Sequence, residues 1–145
     1  MVLRDKLKVP MNLEIAQKWY RQARHDLEMA GENAAIGGYD VAAFLCQQSI
    51  EKLLKSVLIL ETGTSPKTHY LDELCDLLNL EDELRGEVLD FSADYMMARY
   101  PDVSEHVPYE EYTSDVALDK VERCKNIFAR LSIRIAPLQR SADES

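Results

Sequence analysis

The sequence predicts an all-α protein: an antiparallel up-and-down four-helix bundle with one additional short helix. Three observations carry this reading. Apolar residues recur at three- and four-residue steps through most of the 145 residues. Gly and Pro number only 5 each, too few for a many-turned β architecture. The connection between the first two periodic runs is short, which favours antiparallel neighbours. A chain of this length, 46% hydrophobic, is one domain, able to bury roughly 70% of its extended-chain surface without disulfide or metal staples.

The first helix is predicted to open at Asn12, a good capping residue. It carries Leu13, Ala16, Tyr20, Ala23, Leu27, Ala30 and Ala34 on one face before Gly37-Gly38 turns the chain. A second helix follows through Tyr39, Ala43, Cys46, Ile50, Leu53, Val57 and Leu60. Ala42, Phe44, Leu54 and Leu58 widen its apolar arc, so this helix is expected at the centre of the bundle, with Gly63 as its C-terminal cap. Thr68 is read as the cap of a short helix bearing Leu71, Leu74, Leu77 and Leu78. Glu81, Asp82 and Glu83 suit the start of the next helix, whose pattern runs through Leu84, Val88, Phe91, Tyr95 and Ala98 and ends near Arg99. Pro101 and Pro108 then make residues 99–113 a long irregular connection. Ser114 and Asp115 open the last helix, with Ala117, Val121, Cys124, Phe128, Leu131 and Ile135 as its stripe and Pro137 ending it. The division is an N-terminal arm at 1–11, a single domain at 12–136 and a polar tail at 137–145.

Charge and cysteines narrow the function. With 17 Lys+Arg against 26 Asp+Glu, the net charge of -9 opposes general nucleic-acid coating while leaving room for a local basic site. Cys46, Cys75 and Cys124 form no CxxC pair, so neither a disulfide framework nor a zinc site is expected, and Cys46 and Cys124 read as buried packing residues. No metal or cofactor is called for. MVLRDKLKVP lacks the apolar run of a signal peptide and no stretch is long enough to cross a bilayer, so a cytoplasmic protein with no membrane association is expected.

The long connection RYPDVSEHVPYEEYT is where chemistry is expected. Arg99 is a permanent cation suited to gripping a phosphate, and His106 is able to exchange a proton near neutral pH. The other reading pairs Arg99 with Asp102 and leaves His106 a solvated loop residue. Tyr100, Tyr109 and Tyr112 read first as the apolar floor of this loop, and alternatively as stacking surfaces for bases. On helix 2, Gln47, Gln48, Glu51, Lys52 and Lys55 form either an exposed charged arc, with Glu51 and Lys55 as an i,i+4 pair, or a face toward a phosphate site. His69 reads as a capping or packing residue. Arg123, Lys125, Arg130 and Arg134 make the last helix a candidate surface for RNA or an acidic partner. Between Asp72 and Asp90 eight acids face the single base Arg85, an acidic flank able to repel unwanted polyanions.

Three pieces of text, in order, resemble the HEPN domain family: AAFLCQQSIEKLLKSVLI on helix 2, the TH-x-L of Thr68, His69 and Leu71, and ARYPD at Ala98 to Asp102. Trp19, Ala23, Asp26, Leu27 and Ala30 of the first helix fit the same pattern, so the likeness spans about residues 12–135. The resemblance implies a helical bundle that forms a homodimer. It also implies a nucleotide- or RNA-associated module, partner to a separately encoded nucleotidyltransferase in a toxin-antitoxin-like pair. Arg99, Asp102, Lys52, Lys55, Tyr100 and Tyr109 are then the expected nucleotide- or phosphate-binding residues. The alternative it implies is a metal-independent endoribonuclease using Arg99 and His106 across the homodimer, with six residues between them at the long end of the family's spacing. Tyr100-Pro101 departs from the polar residue that follows the arginine in that motif. A third reading is a non-catalytic helical scaffold.

Overall fold

The computed structural model describes the backbone of residues 3–144 and the side chains of residues 12–139. Among these the chain is helical without strands: α1 (Leu3–Ala35), α2 (Tyr39–Thr62), α3 (Leu71–Leu78), α4 (Asp82–Leu89), α5 (Asp94–Met97), α6 (Pro108–Glu111), α7 (Ser114–Arg130) and α8 (Ser132–Glu144).

The long hairpin of α1 and α2 is the frame. Gly37, at φ +92°, makes the turn that L side chains resist. The two helices run antiparallel, since Ser49 donates to the Ala23 carbonyl near their middle while Gly63 meets Asn12 at their far end. Gly63 caps α2 in the left-handed conformation, its N–H bonded to the Ile59 carbonyl. The predicted stripes form the core. Ala16, Tyr20, Ala23, Ala30 and Ala34 of α1 and Ala43, Cys46, Ile50, Leu53 and Val57 of α2 are buried. α7 lies against both helices, and Ala117, Val121, Cys124 and Phe128 close the core from that side. α3 packs on α2, α4 bridges α3 and α7, and α8 returns onto α1. All three cysteines are buried and free. A hydrogen bond with Cys124, followed by burial, drives the Cys46 thiol far above its ordinary range, so it stays protonated.

Several element boundaries differ from the sequence reading. α1 begins at Leu3, so Asn12 lies inside the helix and caps nothing at its start. Thr68 does not cap α3. Tyr70 occupies that position, and the Thr68 hydroxyl accepts from the Tyr70 N–H in the turn before it. The helix expected from Leu84 to Ala98 is broken at Asp90–Ala93, where Phe91 and Ser92 bond back only three residues. That tightening turns Asp94 inward to meet two partners on other elements, a tertiary demand that outweighs the helical pattern. The 99–113 connection contains a short helix with Pro108 in its first turn. Pro137 does not end the chain's last helix. The break comes earlier, at Leu131, and α8 continues through Pro137 because Ile135 and Leu138 are buried in the core.

Candidate functional site

The basic last helix does not offer a free surface. Arg123 pairs with Asp90 and Asp119, Lys125 with Glu122, and Arg134 with Glu61. Arg130 reaches Glu81, Glu83 and Glu87. Glu81, Glu83, Glu87 and Asp90 thus neutralise Arg123 and Arg130 of α7.

Arg99 is placed differently. Asp94, the first residue of α5, is 4% exposed and held by the Tyr112 hydroxyl at 2.5 Å and the Lys120 ammonium at 2.7 Å. These bonds fix the segment that carries Tyr95 and, one helical turn later, Arg99. The Arg99 guanidinium carbon lies 4.8 Å from the centre of the Tyr95 ring, 4.9 Å from Tyr100 and 5.3 Å from Phe44 of α2. Arg99 is exposed, and it has no carboxylate within ion-pair distance among the described residues. An arginine seated on three rings keeps its charge and its forked donors while losing mobility. That arrangement suits a phosphate.

The other residues expected at the site are scattered. Among the described residues no hydrogen bond or ion pair joins Arg99 to Asp102 or to His106, so the turn-bracing pair does not form. Asp102 and His106 are exposed, and the His106 carbonyl accepts from the Ser104 hydroxyl at 2.9 Å. The three tyrosines divide: Tyr112 is the buried floor, Tyr100 supports Arg99, and Tyr109 is 73% exposed.

Helix 2 holds the largest departure. Gln47, Glu51 and Lys55 are buried, so the expected exposed arc is an internal polar row. Lys55 pairs with Glu51 at 3.3 Å and sits 5.6 Å from the Trp19 ring centre. Lys52 pairs at 2.6 Å with Asp26, which also accepts from Gln22. Both lysines expected to hold phosphate therefore have intramolecular carboxylate partners. Gln47 donates to Glu51 at 3.4 Å, and His69 approaches the same carboxylate through Nδ1 at 3.0 Å. The His69 ring is stacked on Tyr95, with centroids 5.4 Å apart and planes at 17°. His69 is thus no cap. It joins the buried carboxylate of α2 to the aromatic support of Arg99. Helical periodicity carries no sign of this contact, because residues 51, 69 and 95 meet only when α3 and α5 fold onto α2.

No helix among the described residues is long and apolar enough to cross a membrane. The model of the HEPN domain matches residues 16–134 of the chain. A crystal structure of a protein from Thermus thermophilus is similar, with a TM-score of 0.72 and 28% identity over 82% of this chain and 97% of that one. The crystal structure of an archaeal HEPN homologue has a TM-score of 0.71 and 31% identity, over 83% of this chain and 97% of that one. A comparison with functionally curated proteins gives no significant match.

Proposed function

From the premise that the chain belongs to the HEPN domain family, we propose that it is a nucleotide- or RNA-binding module in which Arg99 makes the phosphate contact. The observation that carries this is the exposed guanidinium seated on Tyr95, Tyr100 and Phe44 without a carboxylate partner among the described residues. The cation grips phosphate oxygens, and Tyr100 offers a face on which a base stacks. Tyr109, 73% exposed, is free to meet a second base. Asp102 is exposed and close to Arg99 in sequence, which supports a part in accepting from a ribose hydroxyl or a base amine.

The module acts as a homodimer beside a separately encoded nucleotidyltransferase, in a pair of toxin-antitoxin type. The resemblance supports this part of the proposal, and copurification of the two chains from a common operon tests it. For the phosphate contact, the measurement is titration of a fluorescent oligoribonucleotide. Arg99→Ala is expected to weaken binding about tenfold or more, and Arg99→Lys to recover only part of it, since a lysine lacks the planar fork. Equal affinity in wild type and Arg99→Ala would remove the proposal.

A second reading is an endoribonuclease using Arg99 and His106 across the dimer. It draws support from the exposure of both side chains, as a site completed by a second subunit requires.

A further inference from the structure

One face of α1 carries charges that the rest of the chain leaves unmatched. Arg21, Arg24, His25, Glu28 and Glu32 follow one another at the spacing of a single helix face, and all five are exposed. None of them has an ion-pair partner among the described residues, whereas Lys52, Lys55, Lys120, Arg123 and Arg130 each have one. The order of these charges does not serve α1 itself. The bases precede the acids, which is the weaker arrangement within a helix, and Glu32 stands in the last turn, where the helix dipole disfavours a carboxylate.

The same residues line a cleft of about 750 Å³, to which Tyr20, Leu27 and Ala35 give an apolar lining and α7 adds Lys125. Gly31 also lines it. A Cβ at Gly31 would meet nothing within 4 Å, so the packing of the chain does not call for a glycine inside this helix. What the bare backbone allows is the close approach of a second element. The cleft shares no residue with the rings that seat Arg99.

We infer that this face is the contact between two copies of the chain, with α1 lying antiparallel to α1 of the partner across a two-fold axis. The charge order is self-complementary under that symmetry. With the axis crossing between residues 26 and 27, Arg21 meets Glu32 of the partner subunit, and Arg24 and His25 meet Glu28 of the partner subunit. Each contact occurs twice, so every base of the face finds an acid along a stretch of about 16 Å. A parallel pairing in register would oppose like charges, and an acidic or a basic ligand would match only half of the face. A second copy matches all of it and covers the apolar lining of the cleft at the same time. The inference rests on the homodimer reading and gives it a surface.

Sedimentation equilibrium of the full chain tests the contact. Wild type is expected to dimerise, and more weakly as salt is raised, because the pairs are exposed. Glu28→Lys with Glu32→Lys makes the face wholly positive, and Arg21→Glu with Arg24→Glu leaves it without an arginine and strongly negative. Each double variant should dimerise about 100-fold more weakly, since symmetry counts every repulsion twice. An equimolar mixture of the two should restore a dimer, because the altered faces complement each other. Glu105→Lys with Glu110→Lys makes the same change of charge at exposed positions of the 99–113 connection and should dimerise like wild type. Circular dichroism confirms that each variant keeps its helices. Double variants of the α1 face that dimerise like wild type overturn the inference and leave the homodimer reading standing, as does a mixture that stays monomeric or a dimer lost in the Glu105 and Glu110 variant. A monomeric wild type removes the homodimer reading itself, and this inference with it.

Discussion

The Tyr112 hydroxyl donates to Asp94 at 2.5 Å, and this bond ties the far end of the 99–113 connection to the helix that precedes it. Arg99 lies between the two anchors. Tyr112→Phe keeps the buried ring and removes the donor, leaving Asp94 with Lys120 alone. The expected loss is about 2 kcal/mol, read as a lower urea midpoint at unchanged slope. Amide exchange in residues 99–111 should rise together with it. An unchanged midpoint would show that the segment is held by other means.

Two glycines predict changes of opposite sign. Gly63 sits at φ +88°, and a Cβ there would lie 3.1 Å from the Asn12 side-chain nitrogen, so Gly63→Ala should destabilise by about 1–2 kcal/mol. Gly86 is inside α4 with open space around it, and Gly86→Ala should stabilise by about 0.5–1 kcal/mol. Thermal melts of the two variants moving in the same direction would contradict this account.

The two lysine–carboxylate pairs of α2 should differ in strength because water reaches them differently. Side-chain exposure is 6% and 5% for Lys55 and Glu51, against 24% for Lys52. Glu51→Ala strands a buried ammonium and should cost about 3 kcal/mol or more. Lys52→Ala should cost less, about 1 kcal/mol, since Gln22 still donates to the Asp26 carboxylate, which is itself 7% exposed. Equal losses in chemical denaturation would show that burial is not what separates the pairs.

Stability should fall on the alkaline side. Burial pushes the Cys75 thiol up to about 11, and burial, then the bond to Asp94, pushes the Tyr112 hydroxyl up as well. The unfolded chain releases these protons first and holds fewer of them, so the slope of stability with pH is negative. The Cys75 contribution is intact below about pH 8.5 and is lost as pH rises through 11, with Tyr112 adding to the fall above about pH 10. Cys75→Ala should flatten the earlier part of the decline, measured as denaturant midpoints across that range.

The apolar periodicity of α1, α2 and α7 is enough to name the buried residues. Ala16, Ile50 and Cys124 are buried because their faces repeat at the pitch of a helix, a local property that a linear sequence records. Gly37 and Gly63 likewise mark real ends, because only glycine takes their backbone angles without strain. Arg99 was legible as a cation in a connection rich in tyrosine, and the HEPN pattern pointed to the same stretch. Only the tertiary structure decided what each charge meets. The basic residues of α7 look free along the chain, yet Arg123 and Arg130 meet acids in and beside α4, Lys120 meets Asp94, and Lys125 meets Glu122 of α7 itself. Glu51 and Lys55 look like a solvated pair, yet α1 and the His69 turn cover them. The Leu84–Ala98 pattern reads as one helix, yet it breaks to deliver Asp94 to Tyr112 and Lys120. Helical spacing determines which residues share a face. Which face is covered, and by whom, depends on contacts between residues far apart in the chain, and those placed His69 against Glu51 and Arg99 on its rings.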